Sequence, residues 1–204
     1  MQGFGAPKKR KRKKNNNIND DFVKLEEAEK KLLIQKALKN HQEGKISVAE
    51  KYYQIFIDKG FKDQKVFISY GKVLEQKGQY KKAIEIWEKS VKFFPESYQA
   101  YYCLGNILLD IDELDKAENY ILNAIELFPN LSEAYYTLGR ILTKQENFTE
   151  AENSFRKAIK IQPFFVGSYI NLGNTLQRLG KLKQAEESIR KAIEIKPDLA
   201  LAYL

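Results

Sequence analysis

The apolar residues of this chain recur three and four positions apart, in short runs separated by polar breaks. One run is Tyr135, Leu138 and Leu142, with Gly139 beside Leu138; the next is Ala151, Phe155, Ala158 and Ile159. Between them lies the polar stretch Gln145–Asn147. The spacing predicts two amphipathic helices joined by a tight turn. Thr149 and Glu152 stand three residues apart, as a capping box opening the second helix would require. Pro163 then closes that helix and turns the chain onward.

The same layout returns every 34 residues. Pro95, Pro129, Pro163 and Pro197 keep that interval, and so do Gly71, Gly105, Gly139 and Gly173. Leu74, Leu108, Leu142 and Leu176 follow it, as do Ala83, Ala117, Ala151 and Ala185. Only Pro7 of the five prolines is out of phase. Small residues at Gly139 and Ala151 let two helix backbones approach closely, with Tyr135, Leu138 and Phe155 filling the space around them. A single hairpin of this kind cannot bury both of its faces. Stacking successive hairpins can, which is why the unit repeats. The expected fold class is an all-α solenoid of helix-turn-helix hairpins.

The pattern Tyr/Phe-x2-Leu-Gly-x2-Leu…Ala-x3-Phe/Trp/Ile-x2-Ala…Pro resembles the tetratricopeptide repeat. It covers four units, 64–97, 98–131, 132–165 and 166–199, about two-thirds of the chain. Tyr70 and Ser90 are mild departures, standing where leucine and alanine are usual. Residues 22–63 read as a degenerate N-terminal hairpin: Ala37, Gly44, Ala49 and Tyr53 are in phase, while Phe56 replaces the small alanine and Phe61 the proline. Ala200–Leu204, with Tyr203 in phase, reads as the start of a further helix, so the array is expected to continue or to be covered by another chain.

The resemblance implies a right-handed superhelix whose first helices line a concave, partner-binding side. A non-enzymatic interaction scaffold for a protein or peptide segment is then expected. The fifth position of each unit gives Ile68, Tyr102, Tyr136 and Ile170, the sixth Ser69, Cys103, Thr137 and Asn171, and the ninth Lys72, Asn106, Arg140 and Asn174. From these, Lys72, Tyr102, Asn106, Tyr136, Arg140, Asn171 and Asn174 form the candidate peptide-binding set. The tyrosines offer flat contact area, the asparagines donors and acceptors for an extended backbone, and Lys72 and Arg140 favour an acidic ligand. The alternative for Tyr102 and Tyr136 is packing against the neighbouring hairpin. The fifth position is never lysine, so the chaperone-type clamp for a C-terminal carboxylate is not implied.

Composition supports helices: 11 glycines and 5 prolines in 204 residues are few for a β-sandwich or barrel. The net charge of +8 is concentrated in one place. Lys8, Lys9, Arg10, Lys11, Arg12, Lys13 and Lys14 are consecutive, and the other basic residues nearly balance the 27 acidic ones. Residues 1–21 carry no apolar periodicity and are expected to be a disordered basic tail. Such a tail suits nucleic acid or an anionic surface, or is simply solvated. The opening MQGFG, its lysine run and asparagines, and the hairpin NHQEGKISVAEKYYQIFIDKGF are similar to bacterial repeat proteins in which the array precedes a glycosyltransferase, sulfotransferase or hydroxylase domain. That likeness implies a second reading, the substrate-recruiting front of a longer enzyme.

Catalysis within these residues is not expected. Triads and metal sites need several converging His, Cys or carboxylate groups, and the chain has one histidine, His41, and one cysteine, Cys103. No catalytic, cofactor or metal site is assigned. A single cysteine allows no internal disulfide, and no apolar run reaches the length of a membrane span. The expected location is the cytoplasm; oligomeric state is left open.

Overall fold

A computed structural model describes the backbone of residues 9–198, and the side chains of Asp20 and residues 22–198. The described residues form helices without strands: α1 (Lys9–Gln42), α2 (Ile46–Asp58), α3 (Gln64–Gln76), α4 (Tyr80–Phe93), α5 (Tyr98–Asp110), α6 (Leu114–Leu127), α7 (Ser132–Lys144), α8 (Phe148–Ile161), α9 (Val166–Arg178) and α10 (Leu182–Ile195). They divide into two compact units, Met1–Val73 and Leu74–Leu204.

In the first unit α1 and α2 form an antiparallel hairpin. Gly44 makes the turn with φ of 72°; a Cβ there would meet open space, so backbone conformation alone calls for glycine. The core contains Leu33 and Ala37 of α1 and Ala49, Tyr53 and Phe56 of α2. Tyr53 stacks on Tyr70 of α3 with ring centroids 5.4 Å apart, and its hydroxyl lies 2.9 Å from Nδ1 of His41. The Tyr70 hydroxyl donates to Oε1 of Gln54 at 2.6 Å. Burial pushes the Tyr70 phenol up to about 12, with the nearby charges of Glu50 and Asp58 adding to the effect.

The expected disorder of residues 1–21 is corrected over residues 9–21, which are the opening turns of α1. Lysine and arginine are good helix formers, and extending an existing helix is easier than nucleating one. Residues 1–8 and 199–204, including the expected helix start at Ala200–Leu204, lie outside the described residues. At 34 residues α1 far outruns the 13-residue α2. Every side chain from Phe22 to Glu29 is exposed.

The second unit is a stack of hairpins: α5 pairs with α6, α7 with α8 and α9 with α10, and each second helix packs on the next first helix. The first helices α5, α7 and α9 also touch their neighbours directly, whereas the second helices do not touch one another. The stack therefore curves with its first helices on the inner side. Each hairpin closes at a glycine. A Cβ on Gly105 would lie 2.6 Å from the Ile121 side chain, on Gly139 2.5 Å from the Phe155 ring, and on Gly173 2.7 Å from Ile189. All three distances are shorter than real contacts allow, so each glycine leaves room for the side chain opposite.

Turns within the hairpins share a left-handed residue: Gly78 (φ 68°), Asp112 (66°), Glu146 (63°) and Gly180 (71°). After α7 the Glu146 N–H donates to the Thr143 carbonyl at 3.1 Å and the Asn147 N–H to the Leu142 carbonyl at 2.8 Å. This is a Schellman close, whose C′ position favours glycine. The expected capping box of Thr149 and Glu152 is corrected here: α8 begins at Phe148, its N-cap is Asn147, and that end has no side-chain cap. Glu152 bonds elsewhere, as described below. Pro95, Pro129 and Pro163 each follow the C-cap residue of a second helix, at Phe94, Phe128 and Gln162.

Two substitutions test this account by urea unfolding. Gly139→Ala gains helix propensity but drives a methyl group into Phe155, and a net destabilisation of about 1–3 kcal/mol is expected. Glu146→Gly removes a left-handed non-glycine residue, and a gain of about 1 kcal/mol is expected.

Candidate functional site

The inner face of the second unit carries six of the seven residues proposed from the sequence. The seventh, Lys72, is exposed on α3 and belongs to the first unit. Tyr102, Asn106, Tyr136, Arg140 and Asn171 are half-buried, and Asn174 is exposed. Their places follow from helical spacing: the fifth and ninth positions of a first helix lie one turn apart on one face.

The structure joins these residues into two small networks. In the first, Asn106 on α5 donates from Nδ2 to the Tyr102 carbonyl at 3.0 Å, and its Oδ1 accepts from the Thr137 hydroxyl on α7 at 3.1 Å. Burial pushes the Tyr102 phenol up, while hydrogen bonds with Asn106 and Thr137 pull the other way. In the second, Asn171 on α9 donates from Nδ2 to the Tyr136 hydroxyl at 3.2 Å and to the Gly167 carbonyl at 2.9 Å. The Tyr136 ring lies 4.8 Å from that of Phe165 and 6.0 Å from that of Phe155, and Arg140 Cζ sits 5.9 Å from its centroid. A Cβ on Gly167 would lie 3.3 Å from Tyr136, so this glycine lets the ring settle against α9.

Tyr136 thus combines both alternatives raised by the sequence, packing on the next hairpin while keeping part of its surface open. The asparagines need correction. Asn171 uses both amide donors internally and offers only its oxygen, and Asn106 is engaged with the Tyr102 carbonyl, the Tyr102 phenol and the Thr137 hydroxyl. Asn174 makes none of these contacts and lines a cleft with Gly173, Gln177 and Leu182. Thr137 and Gly167 complete the networks and were absent from the proposed set. Their signal was available: Thr137 is a sixth-position residue, and Gly167 is a small residue facing a tyrosine of the preceding unit. Arg140 has no carboxylate partner among the described residues, and its guanidinium lies over the Tyr136 ring.

A different contact ties α8 to the next hairpin. Glu152 is only 8% exposed. It accepts from Nζ of Lys181 at 2.7 Å and from Nε of Arg156 at 2.9 Å. Burial works to raise its pKa, but the hydrogen bonds and charges of Lys181 and Arg156 together outweigh it and hold the carboxyl below its ordinary 4.5. Cys103 is buried, and His41 is engaged with Tyr53. Among the described residues, no three His, Cys, Asp or Glu side chains are grouped to hold a metal, and no helix is long and apolar enough to cross a membrane.

Comparison with known proteins follows the same geometry. Models of the tetratricopeptide repeat match residues 96–163 and 166–199. A model of anaphase-promoting complex, cyclosome, subunit 3 matches residues 38–124. A crystal structure of MamA is similar with a TM-score of 0.75 at 27% identity, covering 80% of this chain and 96% of that one. A second MamA structure gives 0.77 at 26%, covering 86% and 96%. YrrB, described as a TPR protein with an unusual peptide-binding site, gives 0.70 at 26%, covering 82% and 86%. Among curated proteins none matches the chain.

Glu152 makes stability depend on acid. Folding lowers its pKa, so its contribution is fully present above pH 4.5 and is lost as pH falls through the folded value. Thermal melts from pH 7 to pH 3 should show a falling midpoint, and Glu152→Gln should lower the pH 7 midpoint while flattening the acid slope.

Proposed function

The chain belongs to the tetratricopeptide-repeat family, and we propose that it holds an extended segment of a partner protein along the inner face of α5, α7 and α9. The family fold is that of a protein-interaction scaffold. What supports the finer reading is the row of half-buried aromatic and amide groups running from Tyr102 and Asn106 through Thr137, Tyr136 and Arg140 to Asn171.

These side chains are held in place before any ligand arrives. Tyr102 and Tyr136 are stiff, and ordering them costs little on binding. Asn106 keeps an acceptor lone pair on Oδ1, enough to meet one backbone N–H of an extended strand. Arg140 supplies the only formal charge of the row, so a carboxylate side chain on the partner fits opposite it. YrrB, a TPR protein with an unusual peptide-binding site and 26% identity to this chain, is consistent with this use of the fold.

The test is a comparison of proteins captured by the wild-type chain and by a Tyr102→Ala/Asn106→Ala/Arg140→Ala variant. Binding-site residues of this kind each contribute more than ~1 kcal/mol, so the triple variant should lose at least about 100-fold in affinity. Arg140→Ala alone, which leaves the Thr137 hydroxyl its acceptor and spares the packed tyrosine, should show a smaller loss with an unchanged melting point. An identical partner set with undiminished affinity for the triple variant would remove the assignment.

A further inference from the structure

We propose that an exposed stripe of α1 in one copy of this chain docks into an outer groove of the second unit of another copy. The groove lies where α8 and α10 flank α9, with a volume of about 400 Å³. Ile159, Tyr169 and Leu172 give it an apolar lining, and Arg156, Lys160 and Lys191 stand around it as cations. It shares no residue with the inner face described above.

The repeats themselves show why a groove opens here. Tyr101, Tyr135 and Tyr169 occupy the same position of successive units, 34 residues apart. Tyr101 is met by the ring of Tyr120, with centroids 6.2 Å apart, and Lys157 lies over the ring of Tyr135 at 5.8 Å. In the hairpin α9–α10 the residue equivalent to Tyr120 is Ser188, too small to reach across. Lys191, equivalent to Lys157, donates instead to Oε2 of Glu194 at 2.6 Å. Among the described residues no ring or cation takes the place over Tyr169. Lys160 has no carboxylate partner among them either, whereas Arg156 is shared between Glu152 and Gln184. One carboxylate, Glu187, joins the lining, so cations outnumber anions there.

An occupant of this groove presents an apolar side chain beside a carboxylate, and α1 offers that combination. Phe22 and Leu25 are each 68% exposed and share a helix face with Glu26, three and four residues from Phe22. Grouped apolar residues of that exposure mark an interaction surface. Glu27 and Glu29 are paired with Lys30 and Lys59, while Glu26 has no cation partner among the described residues. Phe22 or Leu25 seated on Tyr169 removes apolar surface of both copies from water, and Glu26 beside Lys160 fixes the orientation. The chain's basic run ends at Lys14, eight residues before Phe22. That is about 12 Å of helix, longer than the ~8 Å screening length at physiological salt, so it does not cancel the attraction. Each copy carries one stripe and one groove, so the contact joins unlike surfaces. Reciprocal exchange closes at two copies, and one-way contact adds further copies.

The experiment is sedimentation velocity of the full chain from 1 to 100 μM. The average mass should rise with concentration, to a dimer or beyond. Phe22→Ser/Leu25→Ser removes the stripe, and Lys160→Glu/Lys191→Glu reverses the charge of the groove. Each should weaken association about tenfold or more, with a melting point unchanged from wild type. Mixed in equal amounts, these two variants offer one intact stripe and one intact groove, and should form a 1:1 complex and nothing larger. Should either double variant lose helicity by circular dichroism, Glu26→Lys and Lys160→Glu alone carry the test, with the same cross-complementation expected. A wild-type chain that stays monomeric at 100 μM would overturn the proposal and leave the groove to an acidic segment of another protein. So would association that survives the loss of stripe or groove, or a mixture that yields no 1:1 complex.

Discussion

In the hairpins α5–α6, α7–α8 and α9–α10 the two helix backbones meet where there is room for a hydrogen atom and nothing larger. At Gly139 the missing Cβ would lie 2.5 Å from the ring of Phe155, and at Gly105 and Gly173 it would lie 2.6 and 2.7 Å from isoleucine side chains. This contact sets the separation of the helices, and through it the shape of each hairpin. Large side chains opposite the glycines then fill the space: Phe155 and Ile121 are fully buried. Dense packing of this kind tolerates neither a void nor an added methyl group, so the small-against-large pairing is repeated with the unit.

Stacking follows from that shape, and apolar burial supplies most of its attraction. Polar pairs between consecutive hairpins fix how one seats on the next. Thr137 reaches Asn106, Lys144 reaches Asp112, Gln145 reaches Glu118 and Arg156 reaches Gln184. Two of these, Lys144 with Asp112 and Arg156 with Gln184, are exposed and individually weak. Glu152 differs because it is buried, and because Arg156 of its own helix and Lys181 of the next hairpin both donate to it. Removing either cation would leave a carboxylate with less compensation in a site of restricted hydration, which is costlier than losing a surface pair.

Charge is unevenly placed along this chain. The inner face of α5, α7 and α9 is aromatic and amide-rich, and its networks are largely satisfied from within. The chain's basic run is the reverse: seven consecutive cations, Lys8–Lys14, with no acidic residue before Asp20.

Helices, their 34-residue period and the pairing of glycine with a bulky partner were all readable in the amino-acid order, because periodicity of apolar and small residues is a local record of what must be buried. The candidate face was readable as a set of positions for the same reason. Tertiary structure decided what those positions do. It turned both donors of Asn171 inward onto Tyr136 and Gly167, added Thr137 to Asn106, and left Asn174 apart. It took Glu152 from an anticipated helix cap to a bridge with a residue 29 positions away. It made residues 9–21 helical, where composition suggested disorder. In each case the hydrogen-bond partner or helical support comes from beyond the local window. A side chain with several possible partners takes the one that packing brings within 3 Å, and the sequence does not record that distance.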